Sequence, residues 1–373
     1  MKARRITRCV FLAVALVIVV TAIFGAESMA SASSPTPSKH AAALTGVSCS
    51  SPTACTAVGA YYSEPPLRSG SLIVRWNGRA WRREHAPRIG PPGITAVDVS
   101  CPTPRRCIAV GLAGALLWNG RSWRKQAGVT GNAVSCPSAS FCEVVEASGH
   151  RLFSESWEDG RWVREIMRRP TAPTPIGSVT LAGVSCTSPR FCMAVGDYSF
   201  PAEAQPSAAH RDLTLAERWN GHTWRLAPPA DPASLAALKA VSCRSPGFCV
   251  AVGTQRARRP LAERWTGTAW QVQATPNPSY VGYSTLDAVA CPNEHSCEAV
   301  GDENGESLLA EAWRTDRWSP QRVGTPRSGM SSLALSCPSA IACVLVGTAD
   351  GSPMSETWDG KRWTIRRTPS PVK

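Results

Sequence analysis

Three carboxylates interrupt an otherwise regular pattern in this sequence. A segment of the form Cys-x-Ala-Val-Gly recurs, and six repeats close it on glycine: Gly59, Gly111, Gly196, Gly253, Gly301 and Gly347. The remaining repeat has Glu146, and Asp197 and Asp302 directly follow two of the glycines. Carboxylates gathered at one end of a scaffold can bind a cation, accept sugar hydroxyls, or work as an acid–base pair on a glycosidic bond. As solvated loop ends they would do none of these. All five tyrosines, Tyr61, Tyr62, Tyr198, Tyr280 and Tyr283, fall in segments that differ from repeat to repeat. An aromatic ring with a polar tip suits a sugar or protein surface. Arg256, Arg258 and Arg259 add a basic element to another variable segment. These residues form the candidate binding set. No catalytic residue is assigned: the chain has no Gly-x-Ser-x-Gly elbow, His-Glu-x-x-His, phosphate loop or Asp-x-Asp-x-Asp-Gly calcium loop.

The elements that must position these residues follow from a repeat. Cysteines pair with five residues between them: Cys49/Cys55, Cys101/Cys107, Cys136/Cys142, Cys186/Cys192, Cys243/Cys249, Cys291/Cys297 and Cys337/Cys343. Only Cys9 is left over. Tryptophans pair with four residues between, from Trp76/Trp81 to Trp358/Trp363, and all 14 are used. Each unit holds short apolar runs bounded by turn residues, without a 3.6-residue period. Val-Ser-Cys ends strand A, Cys-x-Ala-Val-Gly forms strand B, and a run ending in Glu-Arg-Trp forms strand C. Asn-Gly or Asp-Gly then turns the chain, both turn residues tolerating positive φ, and the second Trp opens strand D. The expected fold is all-β, a seven-bladed β-propeller with four antiparallel strands per blade. Each cysteine pair is expected to bridge A to B within its blade, with Cα atoms 5–6 Å apart. Seven metal sites are the weaker alternative, because the six histidines do not recur with the repeat. No metal or cofactor is expected. The tryptophans read as blade-to-blade packing.

Residues 1–32 read as a signal peptide: Lys2, Arg4, Arg5 and Arg8, an apolar run from Cys9 to Ala26, then Ala30-Ser31-Ala32. An uncleaved membrane anchor is the alternative. Export places the cysteines in an oxidising compartment. Residues 33–42 read as a polar linker, 43–368 as the propeller and 369–373 as a disordered tail. Complete first and last repeats imply ring closure without a donated strand. The net charge is +13. Basic residues after the second Trp, such as Arg82-Arg83, Arg124-Lys125, Arg164, Arg225 and Arg366-Arg367, fall on strand D and guard an exposed edge. Nucleic acid is not an expected partner, since basic–aromatic clusters and a recognition helix are missing. Glu155, Glu217, Glu263, Glu311 and Glu356, two residues before the first Trp, read as structural links between blades because they repeat.

Strand direction sends the A–B and C–D turns to one face and the variable B–C and D–A loops to the other. Loops on a rigid frame carry function, so the variable face and the channel mouth are the expected site. There Glu146 and Asp197 would meet from adjacent blades, if strand B ends near the mouth.

The repeat resembles a group of exported proteins of high-GC Gram-positive bacteria that are predicted to form propellers and mostly lack an assigned function. Asp159-Gly160-Arg161-Trp162 and Asp359-Gly360-Lys361-Arg362-Trp363 give a looser similarity to kelch and sialidase (Asp-box) propellers. The double glycine of kelch units and the spacing of an Asp-box are both missing, so no activity carries over. The expectation is a secreted or cell-surface, monomeric binding module for a glycan or a surface protein, touching membrane only through an uncleaved leader. A glycan-active hydrolase or lyase built on Glu146 with Asp197 or Asp302, and a purely structural envelope protein, are the alternatives.

Overall fold

The computed structural model describes residues 40–63, 68–89, 95–148, 151–158, 160–170, 176–200, 212–230, 235–256, 259–276, 282–323 and 329–370. The leader, Tyr280 and Arg258 lie outside them. The described strands form seven four-stranded antiparallel sheets. Blade 1 holds β1 (His40–Ser51), β2 (Ala54–Ser63), β3 (Arg68–Trp76) and β4 (Trp81–Arg83). Blade 2 holds β5 (Asp98–Thr103), β6 (Arg106–Gly111), β7 (Gly114–Trp118) and β8 (Trp123–Gln126). Blade 3 holds β9 (Ala133–Ser135), β10 (Cys142–Ser148), β11 (Arg151–Glu158) and β12 (Arg161–Ile166). Blade 4 holds β13 (Ser178–Ser188), β14 (Phe191–Ser199), β15 (Asp212–Trp219) and β16 (Trp224–Leu226). Blade 5 holds β17 (Ala237–Ser245), β18 (Phe248–Gln255), β19 (Arg259–Trp265) and β20 (Trp270–Gln273). Blade 6 holds β21 (Ser284–Asn293), β22 (Ser296–Glu303), β23 (Ser307–Arg314) and β24 (Arg317–Pro320). Blade 7 holds β25 (Ser331–Ser339), β26 (Ala342–Ala349), β27 (Ser352–Trp358) and β28 (Trp363–Arg366). β1 starts at His40, inside the stretch read as linker. Every sheet runs in sequence order, and β1 lies against β25, so the ring closes without an exchanged strand.

All seven cysteine pairs are bridged within their blades: Cys49–Cys55, Cys101–Cys107, Cys136–Cys142, Cys186–Cys192, Cys243–Cys249, Cys291–Cys297 and Cys337–Cys343. Their Cα atoms stand only 3.9–4.1 Å apart, closer than expected, which corrects the anticipated spacing. The cause is direct opposition. Cys49 faces Cys55, Cys186 faces Cys192 and Cys243 faces Cys249 across strands A and B, and antiparallel partners approach most closely at such positions. The strand B cysteines also lie deeper than a staple at a hairpin end would. Cys192, Cys249 and Cys297 have no exposed surface, and Cys343 is 1% exposed. Strand B is an inner strand of a sheet stacked between two others. Each of these side chains therefore joins an apolar layer: Cys192 with Trp219, Cys249 with Trp265, Cys297 with Trp313 and Cys343 with Trp363.

Each tryptophan pair is likewise a cross-strand pair on C and D, as with Trp76 opposite Trp81. The rings pack on the preceding blade: Trp265 and Trp270 join Met193, Val195 and Ala216 of blade 4. The loops between blades add a plug to five of these layers, through Ile89, Val129, Met167, Ala227 and Val323.

The Asn-Gly turn differs from the expected hairpin. Four residues separate Trp76 from Trp81, and only Gly78 takes positive φ, at 89°. The Asn77 side chain instead accepts the Arg79 and Ala80 N–H groups. Blade 6 makes the two-residue turn, with Thr315 and Asp316 both at positive φ.

The serine of Val-Ser-Cys has a role that sequence reading missed. Ser48, Ser100, Ser135, Ser185 and Ser242 each accept the backbone N–H of the first cysteine in the next blade, at 2.9–3.0 Å. Ser336 accepts the Cys49 N–H at 3.0 Å and so stitches blade 7 to blade 1. Blade 6 has Ala290 at this position.

Candidate functional site

The recurring glycine lies within strand B in most blades rather than ending it, since β2 continues to Ser63. A bulge on strand A, where Leu44 and Gly46 flank an extra residue opposite Gly59 and Val58, presses a carbonyl against the glycine. A Cβ at Gly59, Gly111, Gly196, Gly253 or Gly301 would overlap that oxygen. In blade 3 strand A begins at Ala133, opposite Val145, just as that of blade 2 begins at Asp98 opposite Val110. Glu146 stands at the next position and accepts a hydrogen bond from the Thr130 hydroxyl at 2.6 Å.

Alternation along strand B separates the predicted carboxylates. Val144, two residues before Glu146, packs with Ile108 and Val110 of blade 2. Val195, two residues before Asp197, packs with Leu238 and Leu261 of blade 5. Glu146 thus turns toward blade 2 and Asp197 toward blade 5, and the structure does not bring them together. Asp197 accepts the Thr180 hydroxyl, and its acidity is weakened chiefly by burial, with Asp212 adding to the shift. Asp302 accepts the Gly305 N–H at 2.7 Å and closes the B–C turn of blade 6; burial raises its pKa, and the Tyr283 hydroxyl opposes the shift. Tyr283 lies over Gly305. Tyr198 packs on the blade 3–blade 4 layer and stacks edge-on with Phe200 at 5.8 Å. Arg256 is exposed at the end of the described part of its loop.

Cys192, Cys249, Cys297 and Cys343 are sealed between blades and bonded to their partners, so their part is to hold strand B in place. Two of the repeated glutamates tie the loops between blades to the sheets. Glu263 accepts the Ala230 N–H at 2.7 Å, and Glu155 accepts that of Thr130 while pairing with Arg164. These are buried structural contacts, as their repetition implies.

The channel is lined by first strands from all seven blades around a space of about 180 Å³. Its charges are satisfied internally. Lys239 pairs with Asp287 at 2.5 Å, joining blades 5 and 6. Asp98 accepts the Val99 and Val134 N–H groups, joining blades 2 and 3, and burial lifts its pKa to about 6.

Two adjoining cavities on the variable face of blade 1 are open to a ligand. One, of about 350 Å³, is lined by Ala41–Ala43, Ala60, Tyr61, Tyr62, Ser69 and Thr95, with Thr348 and Gly351 of blade 7. The other, of about 440 Å³, is lined by Tyr61, Ser69, Gly70, Ser71 and Arg83 with Glu84, His85, Ala86 and Arg88 of the loop to blade 2. Tyr61 belongs to both. Its ring lies across Gly70, where any Cβ would meet it at 3.2 Å, and the Arg83 guanidinium sits over it, 5.3 Å from the centroid. Arg88 donates to the Ser69 carbonyl at 3.4 Å. Sequence reading found Tyr61 and Tyr62. It took Arg83 for an edge guard and missed Glu84, His85 and Arg88, because nothing in the repeat shows that β2 and β3 project far enough to make a wall for that loop.

No protein-family model matches the chain, and no match was found among curated proteins. Solved structures show the fold. The β-propeller domain of the Trilobed protease from Pyrococcus furiosus, described as having an open velcro topology, is 9% identical, covers 89% of this chain and 98% of its own, and has a TM-score of 0.54. YCF48 bound to D1 peptide is 11% identical over 88% of this chain and 94% of its own, with a TM-score of 0.53. The fucose-specific lectin from Aleuria aurantia is 14% identical over 89% of this chain and 97% of its own, with a TM-score of 0.50. This chain is similar to all three in being a propeller.

Proposed function

We propose that this protein is an exported, monomeric, non-catalytic glycan-binding propeller that engages its ligand at the Tyr61 cleft. The observation that carries the reading is the pair of cavities sharing Tyr61. A hydroxyl-rich ligand needs a concave surface with an aromatic wall and a few convergent polar groups. The cleft offers the Glu84 carboxylate, the His85 imidazole, the Ser69 and Ser71 positions and two guanidinium groups. A propeller frame also serves a fucose-specific lectin, which makes a sugar ligand compatible with this kind of architecture. Seven bridged cysteine pairs accord with an oxidising compartment, and the basic, apolar, small-residue order of residues 1–32 supports export. Among the described residues no helix is long and apolar enough to cross a membrane. The hydrolase alternative pairs Glu146 with Asp197 or Asp302; Glu146 and Asp197 diverge, and Asp302 is engaged by the Gly305 N–H in the turn of its own blade.

The test is a panel of glycans and cell-wall polymers incubated with the purified protein, with bound material and released products both measured. Saturable binding without products, lost in Tyr61→Ala and kept in Glu146→Ala, is the expected result. Release of products would overturn the binding-module reading.

A further inference from the structure

We propose that the Tyr61 cleft selects acidic sugars, through Arg83 and Arg88; this rests on the glycan-binding reading and names the ligand class. Both guanidinium groups are held in place without being neutralised. Arg83 is seated on the Tyr61 ring, and Arg88 is tethered to the Ser69 carbonyl. Among the described residues neither forms an ion pair with a carboxylate. Arg164 and Arg314, by contrast, are paired with Glu155 and Glu298, while Arg75, seated over the Trp118 ring and donating to the Pro104 carbonyl, is held without an ion pair but does not line this cavity. The two cleft arginines thus line one cavity of about 440 Å³ with their charge unspent.

The chemistry of the guanidinium sets the ligand. Its planar fork matches a carboxylate or sulfate with two parallel hydrogen bonds, which a neutral hydroxymethyl group cannot reproduce. Glu84, the single carboxylate lining the cavity among the described residues, is half-buried and is suited to accepting sugar hydroxyls. Among those lining residues two cations stand against one anion. Tyr61 acts as a positioning residue, fixing where the Arg83 charge stands.

The experiment compares oligogalacturonate with its fully methyl-esterified counterpart, and a sulfated with an unsulfated oligosaccharide, binding to the full exported protein. Esterification removes the charge and leaves the sugar ring. At about 150 mM salt, where loose surface attraction is largely screened, at least one acidic probe is expected to bind about tenfold more tightly than its neutral counterpart. Arg88→Ala is expected to erase that difference. Arg88→Lys is expected to restore part of it, and Arg82→Ala, an exposed change beside Arg83 on β4 and outside the cavity, to leave it intact. Thermal melts of each variant establish that the fold is kept. Equal binding of acidic and neutral probes would overturn the acidic-sugar proposal and leave the glycan reading standing. Failure of every saccharide, acidic and neutral, would overturn both. A preference that Arg82→Ala weakens as much as Arg88→Ala would assign it to general positive charge and overturn the cleft.

Discussion

Gly253 shows how a single residue type is imposed by backbone packing. Its strand lies under the bulge of β17, and an added Cβ would overlap the Ala237 carbonyl oxygen. That oxygen belongs to a first strand held in the ring on both sides, so it has little room to yield. Gly253→Ala is therefore expected to cost more than about 2 kcal/mol, in the range of strained-backbone substitutions. Gly347 is the control. There the nearest atom is the flexible Leu333 Cδ2, at 2.8 Å, and Gly347→Ala should cost clearly less. Chemical unfolding midpoints compare the two; equal losses would mean the carbonyl is not the cause. The glycine pattern was legible in the sequence, and so was its single exception. The meaning of the exception was not. Glu146 takes the Thr130 hydroxyl, and which residue of the loop between blades comes to stand beside it is a tertiary property that Glu146 does not encode.

At the scale of elements, blades adhere by apolar layers and, at six of the seven interfaces, by one serine stitch. The stitch at the seam is the informative one, because every other pair of neighbouring blades is consecutive in the chain and blades 7 and 1 are not. Ser336→Ala leaves the Cys49 N–H without its acceptor and is expected to cost about 1–3 kcal/mol. Blade 6 offers the converse: Ala290→Ser would supply the hydroxyl that the other blades have. It is expected to stabilise by about 0.5–1.5 kcal/mol, the net worth of one hydrogen bond. Thermal unfolding of the two variants decides; destabilisation by Ala290→Ser would show that the blade 6–blade 7 interface has no free donor at that level. Strand number, order and disulfide pairing could be read directly, because cysteine and tryptophan spacing fixes which residues face each other across each hairpin. How deep the strand B cysteines sit could not, since that depends on the neighbouring blade. The serine was equally visible as part of Val-Ser-Cys. Its partner was not, since the hydrogen bond joins residues as far apart as Cys49 and Ser336.

The whole molecule buries acids that lack a buried cation, and this sets the pH at which it is most stable. Burial lifts Glu143 to about 7 and Glu217 and Glu311 to about 8, with Asp98 at about 6. In the unfolded chain the same groups titrate near their ordinary values, the glutamates at 4.5. A raised pKa means that the folded state holds its proton more tightly than the unfolded state. The advantage is complete at and below the unfolded value. It is lost progressively as pH rises through 6 to 8, where ionisation of the buried groups has to be met. The protein is therefore expected to melt at a higher temperature at pH 5 than at pH 8. Net charge acts in the opposite direction: at +13 the chain repels itself more strongly as pH falls. Salt separates the two effects, because it screens surface repulsion and leaves a buried group largely unaffected. In moderate salt the fall in melting temperature from pH 5 to pH 8 should grow, and Glu217→Gln with Glu311→Gln should flatten it. A melting temperature that rises over this interval in salt would show that the two glutamates are ionised in the folded protein at ordinary pH. They would then be bonded to loop N–H groups as Glu263 is, and the interior would be held by charged contacts rather than by neutral acids.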